Sequence, residues 1–259
     1  MVEKLLKFAI CNETFVGSPF AQACALARDI GYTGIEIAPF TLFDEGATID
    51  VRHIAESHRA DLRQQAADAG IEIIGLHWLL AKTEGFYLTS ADAGIRDQTS
   101  AYFVDLAELC ADLGGHIMVL GSPQQRNLLP GVTYNQAEEY AAQVLRQAMP
   151  TCESRGVTIA LEPLAPSEGD FLPTAESATR LAEMVDSPNC RLHLDVKAMS
   201  SEAIPVPDII RKNQEQLVHF HANDPNLLGP GMGDVDFHPI LTALQEIDYR
   251  GWVSVEVFK

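Results

Sequence analysis

Four short apolar segments in the second half of the chain each carry, at their carboxyl end, a side chain that can bind a metal ion. The ligand-type residues are Glu162, Asp195, His221 and Glu256, within the segments VTIALEP, CRLHLDV, LVHFHAN and WVSVEVF. Successive side chains of a strand point to opposite faces, so each ligand-type residue faces away from the apolar residues beside it. Three carboxylates and one imidazole suit one divalent cation, with Mn²⁺ favoured and Mg²⁺, Co²⁺ or Zn²⁺ as further options.

Such a site can act on a hydroxy-ketone. A bound cation polarises the carbonyl and lowers the pKa of the neighbouring C–H group. One glutamate can then remove that proton, and a second can return it from the opposite face. Return to the same carbon gives epimerisation, return to the neighbouring carbon gives aldose–ketose isomerisation, and loss of a β-hydroxyl gives dehydration. The metal site is common to these three outcomes, and the pocket chooses among them.

The spacing of these residues predicts the elements that position them. Neighbouring ligand-type residues are about 26 to 35 residues apart, close to the ~30 residues of a strand–helix–strand unit. Earlier apolar segments at 5–11, 34–39, 71–78 and 116–121 predict four preceding strands. Eight strands alternating with helices indicate an α/β protein with a (β/α)₈ TIM barrel, whose site lies at the carboxyl ends of the strands. The 259 residues fit the ~250 of one such barrel, so we expect a single domain over residues 1–259.

Apolar stripes at helical spacing predict the helices between these strands. We place them near 18–31, 50–69, 96–113, 133–148, 178–185, 207–215 and 240–247. A capping box is predicted at Thr133, and Ile30 is expected on the buried face of the first helix. No eighth helix is expected, so the outward side chains of Val253, Val255 and Val257 need another cover. Because large apolar patches are rare on monomers, we expect a homo-oligomer or an atypical element over this face.

Charge and composition argue against several classes of partner. The net charge is −18 and no basic cluster interrupts it, which argues against a nucleic-acid partner. No apolar run approaches the ~20 residues of a membrane-spanning helix, and the first residues, MVEKLLKFAI, do not form a secretion signal. The five cysteines form no CxxC motif or pairing pattern. They indicate reduced, mostly buried residues of a cytoplasmic protein.

Four motifs carry a family resemblance over essentially the whole chain: LEP with Glu162, LHLDVKAM with Asp195, HFHAND with His221 and SVEVF with Glu256. On these motifs the chain resembles the xylose-isomerase-like TIM barrel superfamily, in its branch of sugar and sugar-phosphate isomerases and epimerases. The resemblance implies that the four positions hold one divalent metal and that Glu162 and Glu256 are the acid/base pair. Two further residues match substrate-contacting positions of the family, Glu168 and His77.

The chain departs from the family at two substrate-contacting positions. The ketose 3-epimerases have a histidine where this chain has Ala198 and an arginine where it has Leu227. The substrate of that subgroup therefore cannot be transferred to this chain. Lys197 and Arg126 are the basic residues that could bind a phosphate or carboxylate instead. The alternative is that both are ordinary exposed or ion-paired residues.

Residues and resemblance together favour a divalent-metal-dependent isomerase or epimerase acting on a sugar or sugar phosphate by glutamate-mediated proton transfer. A lyase on the same scaffold, such as an inosose or dehydroshikimate dehydratase, is the alternative. A non-catalytic sugar-binding barrel and an endonuclease IV-like phosphodiesterase are less favoured, and the latter needs more inward histidines and a basic face. Inward His193 and His219 are interpreted as polar core or ligand-supporting residues. Glu36 is interpreted either as such a support or as a core ion pair.

Overall fold

Eight parallel strands close into a barrel in the computed structural model, which describes residues 6–258. The strands are β1 Lys7–Cys11, β2 Gly34–Ile37, β3 Glu72–Leu76, β4 Ile117–Leu120, β5 Thr158–Leu161, β6 Cys190–Asp195, β7 Leu217–Ala222 and β8 Trp252–Val255. Each strand pairs with its neighbours in sequence order, and β8 closes the barrel against β1, with Ala9 opposite Ser254. The predicted (β/α)₈ TIM barrel is confirmed.

Helices connect successive strands. Within residues 6–258 they are α1 Phe20–Asp29, α2 Glu56–Asp68, α3 Ala93–Asp112, α4 Tyr134–Arg155, α5 Ala175–Val185, α6 Val196–Met199, α7 Val206–Lys212 and α8 Phe237–Glu246. The short α6 and α7 both lie between β6 and β7, so α8 precedes β8 rather than following it. Residues 256–258, the last that are described, form no helix. None of the helices in the described range has the length and apolar character that a membrane crossing requires.

Side-chain caps explain where two helices begin. The capping box predicted at Thr133 is present: the Thr133 hydroxyl accepts from the Gln136 N–H at 3.4 Å, and the Gln136 side chain accepts from the Thr133 N–H at 3.0 Å. Helix α3 begins at Ala93, before its predicted start near 96. The cause is Asp92, whose carboxylate accepts from the Gly94 N–H at 2.7 Å.

Two predictions near helix ends are wrong. Helix α2 begins at Glu56 rather than near 50, because the Asp50 side chain caps a separate 3₁₀ turn over Val51–His53. Ile30, expected on the buried face of α1, is 66% exposed. The helix has already ended at that point, and the chain turns away through Gly31 at a φ of 105°.

Apolar side chains fill the part of the barrel interior near the amino ends of the strands. Ala9, Ile74 and Trp252 form one buried cluster there. A Cβ atom on Gly34 would lie 2.8 Å from side-chain atoms of both Ile74 and Trp252, so only glycine fits at this position. Inward positions nearer the carboxyl ends carry polar side chains instead, and these side chains build the site described below.

The valines on the outward face of β8 are covered by the chain itself. Val253 is 1% exposed and Val255 is 8% exposed, and Val257 is partly buried against the main apolar cluster. Val253 and Val255 belong to this cluster, which also contains Ala27 of α1 and Leu244 of α8. We expected this face to be covered either by a second subunit or by an element of the same chain. The cover within the chain is present. The buried valines remove our reason for expecting a homo-oligomer, and the oligomeric state stays a prediction.

Candidate active site

The four predicted ligands converge at the carboxyl ends of four adjacent strands. Glu162 follows β5, Asp195 ends β6, His221 lies near the end of β7 and Glu256 follows β8. Each of the four is 6% exposed or less. The strand register pairs Asp195 with His221 and His221 with Ser254, which brings these side chains to one level of the barrel. The predicted alternation of inward and outward side chains is therefore present, and it brings these four residues together.

Several donor atoms lie close enough together to bind one cation. Atoms of Glu162, Asp195 and His221, together with one of His193, lie within 4.8 Å of one another. Glu256 adjoins this group through His221, because Glu256 Oε2 is 3.3 Å from His221 Nδ1. His193 was interpreted from the sequence as a supporting residue, and its Nε2 lies 4.0 Å from Glu162 Oε1. The structure thus places His193 beside the predicted ligands.

Two uncharged side chains hold the carboxylates of Asp195 and Glu256. Asn223 Nδ2 donates to Asp195 Oδ2 at 2.5 Å and to Glu256 Oε2 at 3.3 Å. Trp78 Nε1 donates to the other oxygen of Glu256, Oε1, at 2.8 Å. The backbone of Trp78 has a φ of 51°, in a left-handed region that is rare for bulky residues. Both oxygens of Glu256 are therefore fixed by donors from other elements.

The two glutamates have pKa values that are shifted in opposite directions. Burial raises the pKa of Glu162 to about 8, and the Asp195 and Glu256 carboxylates add to the shift. Burial also opposes ionisation of Glu256, but the positive charges of the neighbouring His221 and His77 hold the pKa of Glu256 well below its usual range. Carboxylates with diverging pKa values are a common arrangement for acid and base catalysis.

The ring nitrogens at the site have capacity for a ligand. Among the described residues, His221 Nδ1 and both nitrogens of His193 are buried without a hydrogen-bond partner, and the contact of His221 Nδ1 with Glu256 lacks hydrogen-bond geometry. Buried polar groups are nearly always satisfied by protein, water or an ion. With the neighbouring carboxylate oxygens of Glu162, Asp195 and Glu256, these nitrogens form a donor set that fits a divalent cation.

Glu36 lies beneath this cluster on β2 and is fully buried. Its Oε2 accepts from His219 Nε2 at 2.9 Å and from His221 Nε2 at 3.1 Å. Of the two interpretations left open by the sequence, the structure favours support of a ligand-type histidine, because Glu36 contacts His221 directly. His219 shares this contact.

A cavity of about 370 Å³ opens above the cluster and is lined by Glu162 and Glu256. Glu168 and Lys197 also line it, and they form an ion pair with each other. Trp78 and Phe258 supply an aromatic wall, with their ring centroids 6.1 Å apart. A larger groove of about 910 Å³ lies on the outer surface between α2 and the carboxyl ends of α3 and α4, and contains none of these residues.

Two predicted substrate contacts, His77 and Arg126, do not line the cavity. His77 is 0% exposed, with Nε2 2.9 Å from Glu13 Oε2 and Nδ1 3.6 Å from Glu256 Oε1. Arg126 is 1% exposed, and its Nη1 donates to the Leu120 carbonyl at 3.0 Å. Burial lowers the pKa of Arg126 to about 10. Both residues therefore lie behind the cavity wall rather than on it.

Two residues of the site, Gly121 and Asn223, were not predicted from the sequence. A Cβ atom on Gly121 would lie 1.6 Å from Glu162 Oε2, so the glycine makes room for that carboxylate. Nothing in the sequence around the end of β4 signals this contact. Asn223 could have been found, because it lies two residues after His221 and therefore shares its inward face.

Comparison with known proteins gives a family and several relatives. The family model described as xylose isomerase-like TIM barrel matches residues 24–259. A D-psicose 3-epimerase of Agrobacterium fabrum is 27% identical over 216 residues, which cover 83% of this chain and 74% of the relative. A D-psicose 3-epimerase of Enterocloster bolteae is 33% identical over 118 residues, which cover 46% of this chain but only 39% of the relative.

A solved structure agrees with the family at the level of the fold. The crystal structure of a D-psicose 3-epimerase in the presence of D-fructose superposes with a TM-score of 0.85. The superposition covers 98% of this chain and 85% of the other, at 23% sequence identity. At this identity the likeness shows the barrel alone. The family match covers most of the sequence, and the chain belongs to the xylose isomerase-like TIM barrel family.

Proposed function

We propose that the chain is a divalent-metal-dependent sugar epimerase. It removes a proton from a carbon next to a ketone and returns a proton to the opposite face of the same carbon. The two relatives described above are named D-psicose 3-epimerases, and the isomerase class of enzyme predicted from the sequence is confirmed at that level. The observation that carries the finer proposal is the convergence of Glu162, Asp195, His221 and Glu256 beside one cavity. The metal, the substrate and the role of each residue are the proposed part.

The proposed metal site consists of Glu162, Asp195, His221 and Glu256. Their donor set favours Mn²⁺, with Mg²⁺, Co²⁺ or Zn²⁺ as further options. When bound, a divalent ion polarises a ketone carbonyl and lowers the pKa of the adjacent C–H group. Asn223 supports this assignment, because it fixes Asp195 and Glu256 in one orientation.

Glu162 and Glu256 are the proposed acid and base. They follow β5 and β8, on either side of Asp195 and His221, and both line the cavity. A sugar between them would meet one carboxylate on each side, so that one glutamate removes the proton and the other returns it. Trp78 holds Glu256 by one oxygen and restricts its rotation. Return of the proton to the opposite face of the same carbon would invert that carbon.

The charges around the cavity favour an unphosphorylated ketose over a sugar phosphate. Lys197 is already paired with Glu168, and Arg126 is buried behind the wall. The Lys197 charge is thus compensated, and the Arg126 guanidinium does not face the cavity. Among the described residues that line the cavity, Lys82 at the rim is the only further cation. Glu168 can accept from sugar hydroxyls, while the aromatic wall can pack against C–H groups of the ring. The sugar need not be that of the relatives, because Ala198 and Leu227 stand where the family resemblance implies a histidine and an arginine that contact substrate.

A single domain over residues 1–259, a cytoplasmic location and a homo-oligomer stay predictions. The proposed chemistry does not depend on them.

The dehydratase alternative uses the same carboxylates, and only the product distinguishes it from epimerisation. The net charge of −18 disfavours the phosphodiesterase alternative, because a nucleic-acid backbone would be repelled.

The test is a substrate panel of ketoses, ketose phosphates and inososes incubated with Mn²⁺-loaded enzyme in D₂O and read by NMR. The proposal predicts an inverted ketose that carries deuterium at the carbon next to the ketone. Formation of an aldose would indicate isomerisation, and loss of water would indicate the lyase. A chelator-treated sample serves as the control and should show neither exchange nor product. Exchange at the same rate in that control would contradict metal dependence.

A further inference from the structure

One buried carboxylate closes the long loop between β7 and β8. Asp224 is 3% exposed, and its two oxygens accept hydrogen bonds from opposite ends of the loop. Oδ1 accepts from the Asn226 N–H at 3.2 Å, and Oδ2 accepts from the Val235 N–H at 3.3 Å. Such donors offset the loss of hydration that a buried carboxylate suffers. The carboxylate therefore joins the beginning of the loop to its end.

The rest of the loop packs around this carboxylate. A Cβ atom on Gly233 would lie 2.1 Å from Asp224 Oδ1, so the close approach requires glycine. Asn226 adds a second tie, because its Nδ2 donates to the Met232 carbonyl at 3.0 Å and its Oδ1 accepts from the Leu228 N–H at 2.9 Å. These contacts make the loop one hydrogen-bonded unit.

This unit holds the segment that follows β8. The Leu227 carbonyl accepts from the Phe258 N–H at 3.1 Å. Phe258 lines the cavity and stacks on Trp78, and the Lys197 ammonium lies 4.7 Å from the centroid of its ring. None of residues 224–235 lines the cavity itself. The loop therefore reaches the cavity through the residue that it holds.

We infer that Asp224 is a positioning residue that closes the β7–β8 loop and thereby holds Phe258 in the cavity wall. Leu227 has a left-handed backbone, with a φ of 73°, and contributes its carbonyl. The family resemblance implies a substrate-contacting arginine at this position. In this chain the loop instead supplies an apolar ring through its backbone. The consequence for substrate affinity rests on the proposed function, whereas the closure of the loop does not.

Hydrogen exchange of the metal-free protein, read by NMR, tests the closure directly. In the wild type the amides of Val235 and Phe258 should exchange slowly and with the same protection, because one opening event releases both. Asp224→Asn keeps the shape of the side chain but sets an NH₂ group against one of the two backbone donors. We expect exchange at Phe258 to become ~10-fold faster, about the contribution of one hydrogen bond.

The matched control is Asp234→Asn, which removes a carboxylate of the same loop that has no hydrogen bond or ion pair within residues 6–258. Exchange at Phe258 should keep its wild-type rate in this variant. An unchanged rate in Asp224→Asn would overturn the inference. If Asp224→Asn does not fold, the wild-type protein decides, since a Phe258 amide less protected than that of Val235 would show that the loop does not hold it.

The consequence for the sugar is read from KM, kcat and a double-mutant cycle. Asp224→Asn should raise KM for a ketose by ~10-fold and leave kcat nearly unchanged, because the wall binds substrate equally before and during the reaction. Phe258→Ala should also raise KM, and adding Asp224→Asn to it should raise KM no further. Additive effects would mean that Asp224 does not act through Phe258. If no ketose is converted, the proposed function fails, while the exchange rates still decide the role of Asp224.

Discussion

The two halves of the barrel contribute differently to the strand-end site. Strands β5 to β8 carry all four predicted ligands. Strands β1 to β4 carry side chains that contact those ligands from the other side of the barrel or make room for them. These contacts are Glu36 with His221, Trp78 with Glu256, and Gly121 with Glu162. We therefore propose that the second half supplies the chemistry and that the first half sets its geometry.

The largest effect should follow from replacing either proposed acid or base in the second half. Glu162→Gln and Glu256→Gln keep the size of the side chain but cannot accept a proton. Each should lower kcat on an established substrate by ~10²–10⁴-fold, the usual contribution of a positioned acid or base. Circular dichroism should show that both variants fold. Near-normal turnover in both would leave the glutamates as ligands only, with Lys197 and His77 as the next candidates for proton transfer.

A smaller effect should follow from disturbing the geometry from the first half. Gly121→Ala places a methyl group where Glu162 Oε2 lies, since the added Cβ would be 1.6 Å away, and the carboxylate must move. We expect turnover to fall by ~10²-fold, because displacements of about 1 Å have such effects at active sites. The matched control is Gly229→Ala, where the nearest atom would be at an ordinary contact distance of 3.6 Å. Equal turnover in the two variants would contradict a positioning role for β4.

The smallest effect should come from the single hydrogen bond to Glu256. Trp78→Phe removes the indole N–H that donates to Glu256 Oε1 but keeps an aromatic wall. We expect kcat to fall by ~10-fold, at the low end of the range for residues that orient ligands. Trp252→Phe is the control, because the indole nitrogen of Trp252 is buried and has no hydrogen-bond partner within residues 6–258. A rise in KM alone would mean that Trp78 binds substrate and does not orient Glu256.

The convergence of the four proposed ligands could be predicted from the sequence because its signal is local. Alternation within a strand gives the face of each residue, and the interval between strands gives the barrel, so Glu162, Asp195, His221 and Glu256 could be placed together without a structure. Helix boundaries were less secure where one side chain decides them, as Asp50 does before α2. The cover of β8 could not be predicted, because it depends on packing between elements distant in sequence.

The positioning residues could not be predicted in the same way. Glu36 contacts a histidine 185 positions later, and Trp78 contacts a glutamate 178 positions later. Alternation gave the inward direction of Glu36 but not the partner that it meets across the barrel. His77 was placed on the correct strand, yet its burial against Glu13 follows only from the packing of the loop after β1. The positions of the four proposed ligands can thus be predicted from the sequence, whereas the residues that support them cannot.

The most direct test of this account is the metal content of the purified protein after loading with Mn²⁺ and removal of excess ion. Elemental analysis should find one ion per chain in the wild type. His221→Ala should lose most of the bound ion, because it removes the one imidazole among the four proposed ligands. The wild type should also bind less ion as the pH falls, since the ligands must be deprotonated to bind. A wild-type protein that retains no metal after loading would contradict the central claim.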